Sequence, residues 1–205
     1  MAKDTRIEPH APTGAGLRWM KLDNAAKIYP AARRRRWNNM FRLSATMTEA
    51  VDRDALRAAL DVTVLRFPSI AARLRKGAFW YYLEELRHAP EIEDDGAYPL
   101  MYMPFERIRK CALRVLVYGN RIAVEFYHAL TDGNGGLVFL KTLVSEYLFQ
   151  KYGTRVPFGN GVLDRLEQPR AEEFEDSFIK NAGPVPASRA DTDSFRIKGK
   201  REVDG

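Results

Sequence analysis

With 205 residues, 45% of them hydrophobic, the chain is long enough to bury a core as one large or two small domains. Its formal net charge of +6 permits attraction to anionic partners without naming one. One cysteine, Cys111, excludes an intrachain disulfide and offers no metal-ligand spacing.

No apolar run approaches the length of about twenty residues that a membrane helix needs, and the polar N-terminus does not read as a signal peptide. A soluble cytoplasmic protein is the expectation, with a buried thiol at Cys111. Four successive arginines, Arg33–Arg36, contribute much of the positive excess. They read as a solvated segment ahead of a strand. No zinc finger, helix-turn-helix or aromatic-plus-glycine RNA motif accompanies them, so nucleic acid is not an expected partner.

In chain order, residues 1–16 are rich in Pro, Gly and charge and read as an irregular lead-in. Leu17, Met20, Leu22, Ala25, Ala26 and Ile28 suggest a short packed segment, with Asp23 or Asn24 as a cap. Alternation over Asn38–Thr48 sets Phe41, Leu43, Ala45 and Met47 against Met40, Arg42, Ser44 and Thr46, the mark of a strand with one buried face. From Asp52 to Phe67, apolar residues recur at three and four, which predicts a helix capped by Asp52 and stopped by Pro68.

Ser69–Lys76 reads as the start of a strand that Gly77 turns into a second one, Ala78–Leu83. Trp80 and Tyr82 then share one strand face, and this aromatic density reads as core, with a substrate-channel wall as the alternative. Arg87–Phe105, with three prolines and the acidic Glu91, Glu93, Asp94 and Asp95, reads as a long solvated connection. Cys111–Tyr118 and Arg121–Tyr127 flank Gly119-Asn120, a hairpin signal. Leu137, Leu140, Leu143, Val144, Tyr147 and Leu148 make a helical stripe that Gly153 ends. Residues 154–205 read as a linker or tail, with a turn or two of helix near Glu172–Asp176. The expected fold class is α/β (α+β): a mixed, largely antiparallel sheet with helices mainly on one face, spanning residues 17–153.

The stretch RIAVEFYHALTDGNGG (Arg121–Gly136) carries the chemistry. A strand delivers His128 to its end, and a turn and a helix follow. Imidazole, with a reference pKa of about 6.5, takes and gives protons near neutrality. Asp132 stands at the helix entrance, suited to accept backbone N–H groups or to pair with an arginine. Gly133, Gly135 and Gly136 read as a tight turn into the helix, since the Lys-Ser/Thr ending of a phosphate-binding loop is absent.

YHALTDG (Tyr127–Gly133) resembles the HHxxxDG signature of the chloramphenicol-acetyltransferase-like, coenzyme A-dependent acyltransferases. That superfamily includes alcohol O-acetyltransferases and peptide-synthetase condensation domains. The segments WMKLDNAAKIYP, FRLSATM, LRFPSIAARLRKGAFWYYLE and FYHALTDGNGGLVFLKTL are most similar to the alcohol acetyltransferase-like branch, and the resemblance covers residues 17–152. It implies one half of a two-lobed fold with a channel between the lobes. In that channel His128 would be the general base that deprotonates an alcohol for attack on an acyl thioester. Coenzyme A thioester would be a co-substrate, with no tightly bound cofactor and no metal. Asp132 would be structural, paired with an arginine, and Gly133 would allow close approach of the chain. Tyr127 takes the place of the first motif histidine, its side chain turned from His128 toward packing or a channel wall.

The family's DFGWG-like motif is absent from the sequence. A second half-domain or a neighbouring subunit is therefore an expected partner. Two further readings stand beside the acyltransferase: a catalytically silent binding or scaffold domain, and a condensation-type enzyme using a thioester tethered to a carrier protein.

Overall fold

The computed structural model describes residues 17–32, 39–96 and 98–173. Among these the chain forms β1 (Trp19–Lys21), α1 (Ile28–Ala31), β2 (Met40–Thr46), α2 (Arg53–Arg66), β3 (Ala72–Lys76) and β4 (Tyr81–Glu85). Then come β5 (Ile92–Asp94), α3 (Phe105–Ile108), β6 (Leu113–Tyr118), β7 (Arg121–Tyr127), α4 (Gly133–Tyr152) and a 3-10 turn over Ala171–Glu173. The Arg33–Arg36 run and the acidic stretch past Glu173 lie outside the described residues.

The architecture is mixed α+β, as expected, but its strands divide between two sheets. One has the order β2-β7-β6-β5, with β5 parallel to β6 and the other pairs antiparallel. The other, β1-β4-β3, is antiparallel throughout. A backbone bond joins them where Ala112 N donates to Ala72 O at 3.0 Å.

Alternation along the strands decides what each face of the larger sheet meets. Ile122, Val124 and Phe126 of β7 pair across the ladder with Ala45, Leu43 and Phe41 of β2. This face packs beneath the helices. Phe126 stacks on Phe41 at 5.0 Å between ring centroids and meets Phe139 of α4 edge-on at 5.8 Å, and Phe139 meets Phe67, just past α2, at 5.2 Å. Phe126 and Phe139 are fully buried, and burying a ring completely contributes roughly 1.5–3 kcal/mol.

The expected cap of α2 is present: the Asp52 carboxylate accepts from Asp54 N and Ala55 N, each at 3.0 Å. Asp52 N in turn donates to Tyr147 Oη of α4 at 3.1 Å, which ties the two helices together. On α4 the buried stripe is Gly136, Phe139, Leu140, Leu143 and Tyr147, whereas Leu137 is 41% exposed and falls off it. Gly153 ends the helix at φ 70°, in the left-handed region that glycine tolerates.

The opposite face of the sheet is closed by charge. Arg42 and Arg114 flank the buried Glu125 and both donate to it, while Arg42 and Arg121 donate to the buried Asp95. Leu100 N donates to Glu125 Oε1 at 2.8 Å and Arg114 donates to Met101 O at 2.6 Å, so the loop before α3 is drawn over this face. Leu100 adopts φ 58° there, a left-handed conformation that a branched residue rarely takes.

Three local expectations are corrected. Phe79 and Trp80 are not core: Gly77 N donates to Trp80 O at 2.7 Å, closing a turn before β4 begins, and Trp80 is 67% exposed. Tyr82 is on the strand, half-buried against Trp19 at 5.3 Å between ring centroids. The segment 87–105 is not wholly a connection, because Ile92–Asp94 forms an edge strand. Two of its acids are drawn in, Glu93 by Arg107 and Asp95 by the arginines beneath the loop, whereas Glu91 and Asp94, beside Arg57 and Arg53, stay solvated as expected. Finally, residues 155–173, read from sequence as linker or tail, fold back along the helices: Leu163 N donates to Thr142 Oγ1 and Arg66 pairs with Glu167 and Glu173.

Candidate active site at the end of the central strand

His128 follows directly on β7, which is hydrogen-bonded on both sides. Two backbone bonds carry the ladder past the strand's last residues: His128 N donates to Asn39 O at 2.8 Å and Tyr127 N to Ala112 O at 3.0 Å. Leu130 N then donates to Tyr127 O at 2.9 Å, and the buried Ala129 and Leu130 anchor the turn. Cooperative pairing to two neighbours leaves the Cα of His128 little freedom, as a rigid mount for a reacting group requires.

The imidazole is half-buried between two aromatic rings. Tyr29 of α1 lies against one face at 4.6 Å between centroids and 13° between planes; Phe41 of β2 lies at 4.9 Å and 55°. Neither carboxylate nor arginine pairs with the ring among the described residues. The two rings restrict its orientation from either side.

Tyr29 is carried by a short helix with no buried residue. The turn leading to it is held by Asp23, whose Oδ1 accepts from Ala26 N at 2.6 Å. Phe41 was legible as an inward residue of β2, but nothing in the spacing of Tyr29, 99 positions before His128, announces that the two rings meet.

Asp132 is exposed and sits at the N-terminus of α4, where its Oδ1 accepts from Gly135 N at 2.8 Å. The arginine partner implied by the family resemblance is not found on it among the described residues. Capping one of the free N–H groups of the first turn accounts for the residue type.

Gly133 is not a point of close approach in this unit, since a Cβ built there meets nothing within 4 Å. The crowding falls further on. A Cβ at Gly136 would lie 3.0 Å from the Phe41 ring, and one at Gly135 would lie 2.1 Å from Thr131 Oγ1. The same Phe41 ring thus touches both the helix start and the imidazole.

Tyr127 is 1% exposed and belongs to the core cluster, so within this unit it presents no channel wall. Trp80 and Tyr82 make no ring contact with His128 among the described residues. Cys111 is half-buried, its Sγ 3.3 Å from Leu113 O, and burial pushes the thiol up from its ordinary value. No group of three or more metal-ligating side chains forms among the described residues. No helix is long and apolar enough to cross a membrane among those described.

No protein-family model and no curated protein matches the sequence. Solved structures do. The chain is similar to the SgcC5 protein from Streptomyces globisporus, solved in complex with (R)-(-)-1-(2-naphthyl)-1,2-ethanediol and sucrose, with 16% identity, a TM-score of 0.53, and coverage of 72% of this chain and 39% of that one. For the first condensation domain of the calcium-dependent antibiotic synthetase, in complex with a substrate analogue, the values are 16%, 0.51, 69% and 40%. For the condensation domain of the Monacolin K polyketide synthase MokA they are 12%, 0.52, 77% and 38%.

These likenesses define the fold class: a mixed α+β unit matching half of a condensation-domain or acyltransferase-like fold. The chain spans about two fifths of the length of each of these structures. The neighbours are condensation-type folds and do not single out the alcohol acetyltransferase branch.

Proposed function

We propose that this chain is one lobe of an acyltransferase that moves an acyl group from a thioester to a hydroxyl acceptor, with His128 as general base. The observation that supports this reading is the placement of one half-buried imidazole on the end of a doubly paired strand, held by aromatic contacts and without a carboxylate partner among the described residues. A neutral imidazole in that setting can accept the acceptor's O–H proton as its oxygen attacks the thioester carbonyl. The C–O bond forms, the C–S bond breaks, and the thiolate leaves with the proton that the imidazolium returns. Holding base and acceptor in contact adds the advantage of proximity.

A second lobe or a neighbouring subunit supplies the rest of the acyl pocket in this reading. The donor is acyl-coenzyme A and the acceptor an alcohol. A second reading, a carrier-tethered thioester as donor, is favoured by the likeness to condensation domains.

Thiol release tests both. The protein is offered acetyl-coenzyme A with a panel of alcohols, and separately an acyl group on a phosphopantetheine carrier. His128→Ala is expected to lower turnover by about 10²–10⁴-fold without loss of fold. The assay is run with the second lobe or neighbouring subunit present: turnover unchanged in His128→Ala refutes the role of the imidazole, and absence of release from either donor by that complete assembly favours the silent binding domain.

A further inference from the structure

The His128 ring is gripped by one aromatic side chain from each sheet. Phe41 belongs to β2 of the larger sheet, and Tyr29 rides α1, which follows β1 of the smaller one. A general base must bring a ring nitrogen within about 2.6–3.2 Å of the hydroxyl it deprotonates. The torsion that swings those nitrogens, χ2 of histidine, is broad and roughly two-fold when left to itself. Elsewhere a hydrogen bond to the second nitrogen often sets it. Neither nitrogen of His128 has such a partner among the described residues, so the ring contacts carry the restraint.

The two contacts restrain different things. Phe41 meets the imidazole at 55°, and Tyr29 lies almost flat on it at 13°. Turning the imidazole about χ2 drives its edge into a ring stacked flat against it, so Tyr29 is the contact that opposes rotation. A tilted neighbour leaves more room for the same turn.

They also differ in stiffness. Phe41 pairs with Phe126 across the ladder, stacks on its ring at 5.0 Å and crowds the start of α4 at Gly136. It cannot shift without the sheet. Tyr29 has no such backing, because α1 is four residues long with no buried side chain, and its N-cap Lys27 makes no side-chain capping bond. Its support comes from the residues before it. β1 pairs with β4, Leu22 and Ala26 are buried, and Asp23 Oδ1 accepts from Ala26 N at 2.6 Å. Tyr29 N then donates to Ala26 O at 3.2 Å.

We propose that Tyr29 is a positioning residue for His128: its ring, held in place by the Asp23–Ala26 turn, fixes the angle at which the imidazole presents its nitrogen. This rests on the reading of His128 as general base. The hydroxyl of Tyr29 has no part in it.

The test has an arm that needs no turnover. In the isotopically labelled full chain, three-bond couplings from the His128 β-protons to ring Cδ2 report χ2. Two unequal couplings are expected in the wild type and in Tyr29→Phe, and averaged, nearly equal ones in Tyr29→Ala. The second arm is thiol release with the second lobe or neighbouring subunit present. Tyr29→Ala is expected to lower kcat about ten- to a hundredfold with the KM for the acyl donor unchanged. Tyr29→Phe should restore kcat, and Asp23→Ala, which loosens the turn without touching the ring, should reproduce part of the loss. Averaged couplings in the wild type, or unequal ones retained in Tyr29→Ala, would overturn the proposal. So would Tyr29→Phe as slow as Tyr29→Ala, which would make the hydroxyl the acting group. A chain that needs His128 for turnover but not Tyr29 would lose this proposal and keep the base; turnover unchanged in His128→Ala would remove the base and the proposal that rests on it.

Discussion

Tyr29 lies nearly parallel to the imidazole of His128, their centroids 4.6 Å apart and their planes inclined by 13°. A proton above an aromatic face is shielded, so the stack has a direct spectroscopic signature. The chain has three histidines, His10, His88 and His128, which makes assignment by single substitution practical. In Tyr29→Ala the His128 ring protons are expected to move downfield while those of His10 and His88 stay in place, and Tyr29→Phe should retain the original position. An unshifted His128 in Tyr29→Ala would show that the rings do not stack in solution.

Asp132 acts on α4 through its backbone. Removing the cap in Asp132→Ala exposes a free N–H in the first turn and should cost about 0.5–2 kcal/mol of stability, read from urea denaturation. Asp132→Asn keeps a side-chain oxygen and should recover most of the loss. Asparagine as damaging as alanine would point instead to a charge partner for the carboxylate.

The glycines of the same turn should respond in opposite directions. Gly133→Ala places a methyl in open space at the start of a helix, and the gain in helix propensity should raise stability by up to about 1 kcal/mol. Gly136→Ala drives its methyl against the Phe41 ring, 3.0 Å away and itself packed between Phe126 and His128. Overpacking of this kind costs typically about 1–3 kcal/mol, enough to outweigh the propensity gain. Two equally stable variants would contradict the packing described.

Acid should weaken the sheet's charged face through Asp95. The hydrogen bond from Arg42 holds its carboxyl below the usual range, Arg121 acts in the same direction, and burial opposes them. A carboxyl depressed by folding contributes stability that is complete above its unfolded value, about 3.9, and is lost as pH falls through the lower folded value. Urea midpoints should therefore decline in this acid window, and Asp95→Asn should be less stable at neutral pH with a shallower decline. Parallel profiles for the two proteins would dismiss Asp95 as a source of acid sensitivity.

Much of this arrangement was legible from residue order. The periodicity of Asp52–Phe67, the Gly119-Asn120 hairpin and the strand leading to His128 each reflect local preference and burial acting together, and each appears in place. Phe79 and Trp80 misled because an apolar alternation does not distinguish a strand from a hairpin tip whose aromatic side chains stay outside. Ile92–Asp94 escaped notice because a three-residue edge strand, two-thirds acidic, owes its pairing to arginines distant in the chain. Tyr29 was unreadable for a related reason: its partner is set by how β1, α1 and β2 come together, and no local pattern encodes that.

The ionic face of the larger sheet has an evolutionary corollary. Glu125 answers two guanidinium groups and the N–H of a left-handed leucine at once, so any lone replacement there strands several charges in a poorly hydrated place. Related chains should consequently conserve Arg42, Glu125 and Arg114 as a block, or exchange the whole block for hydrocarbon. Drift at this surface is then expected to proceed by coordinated jumps, with intermediates bearing one change disfavoured.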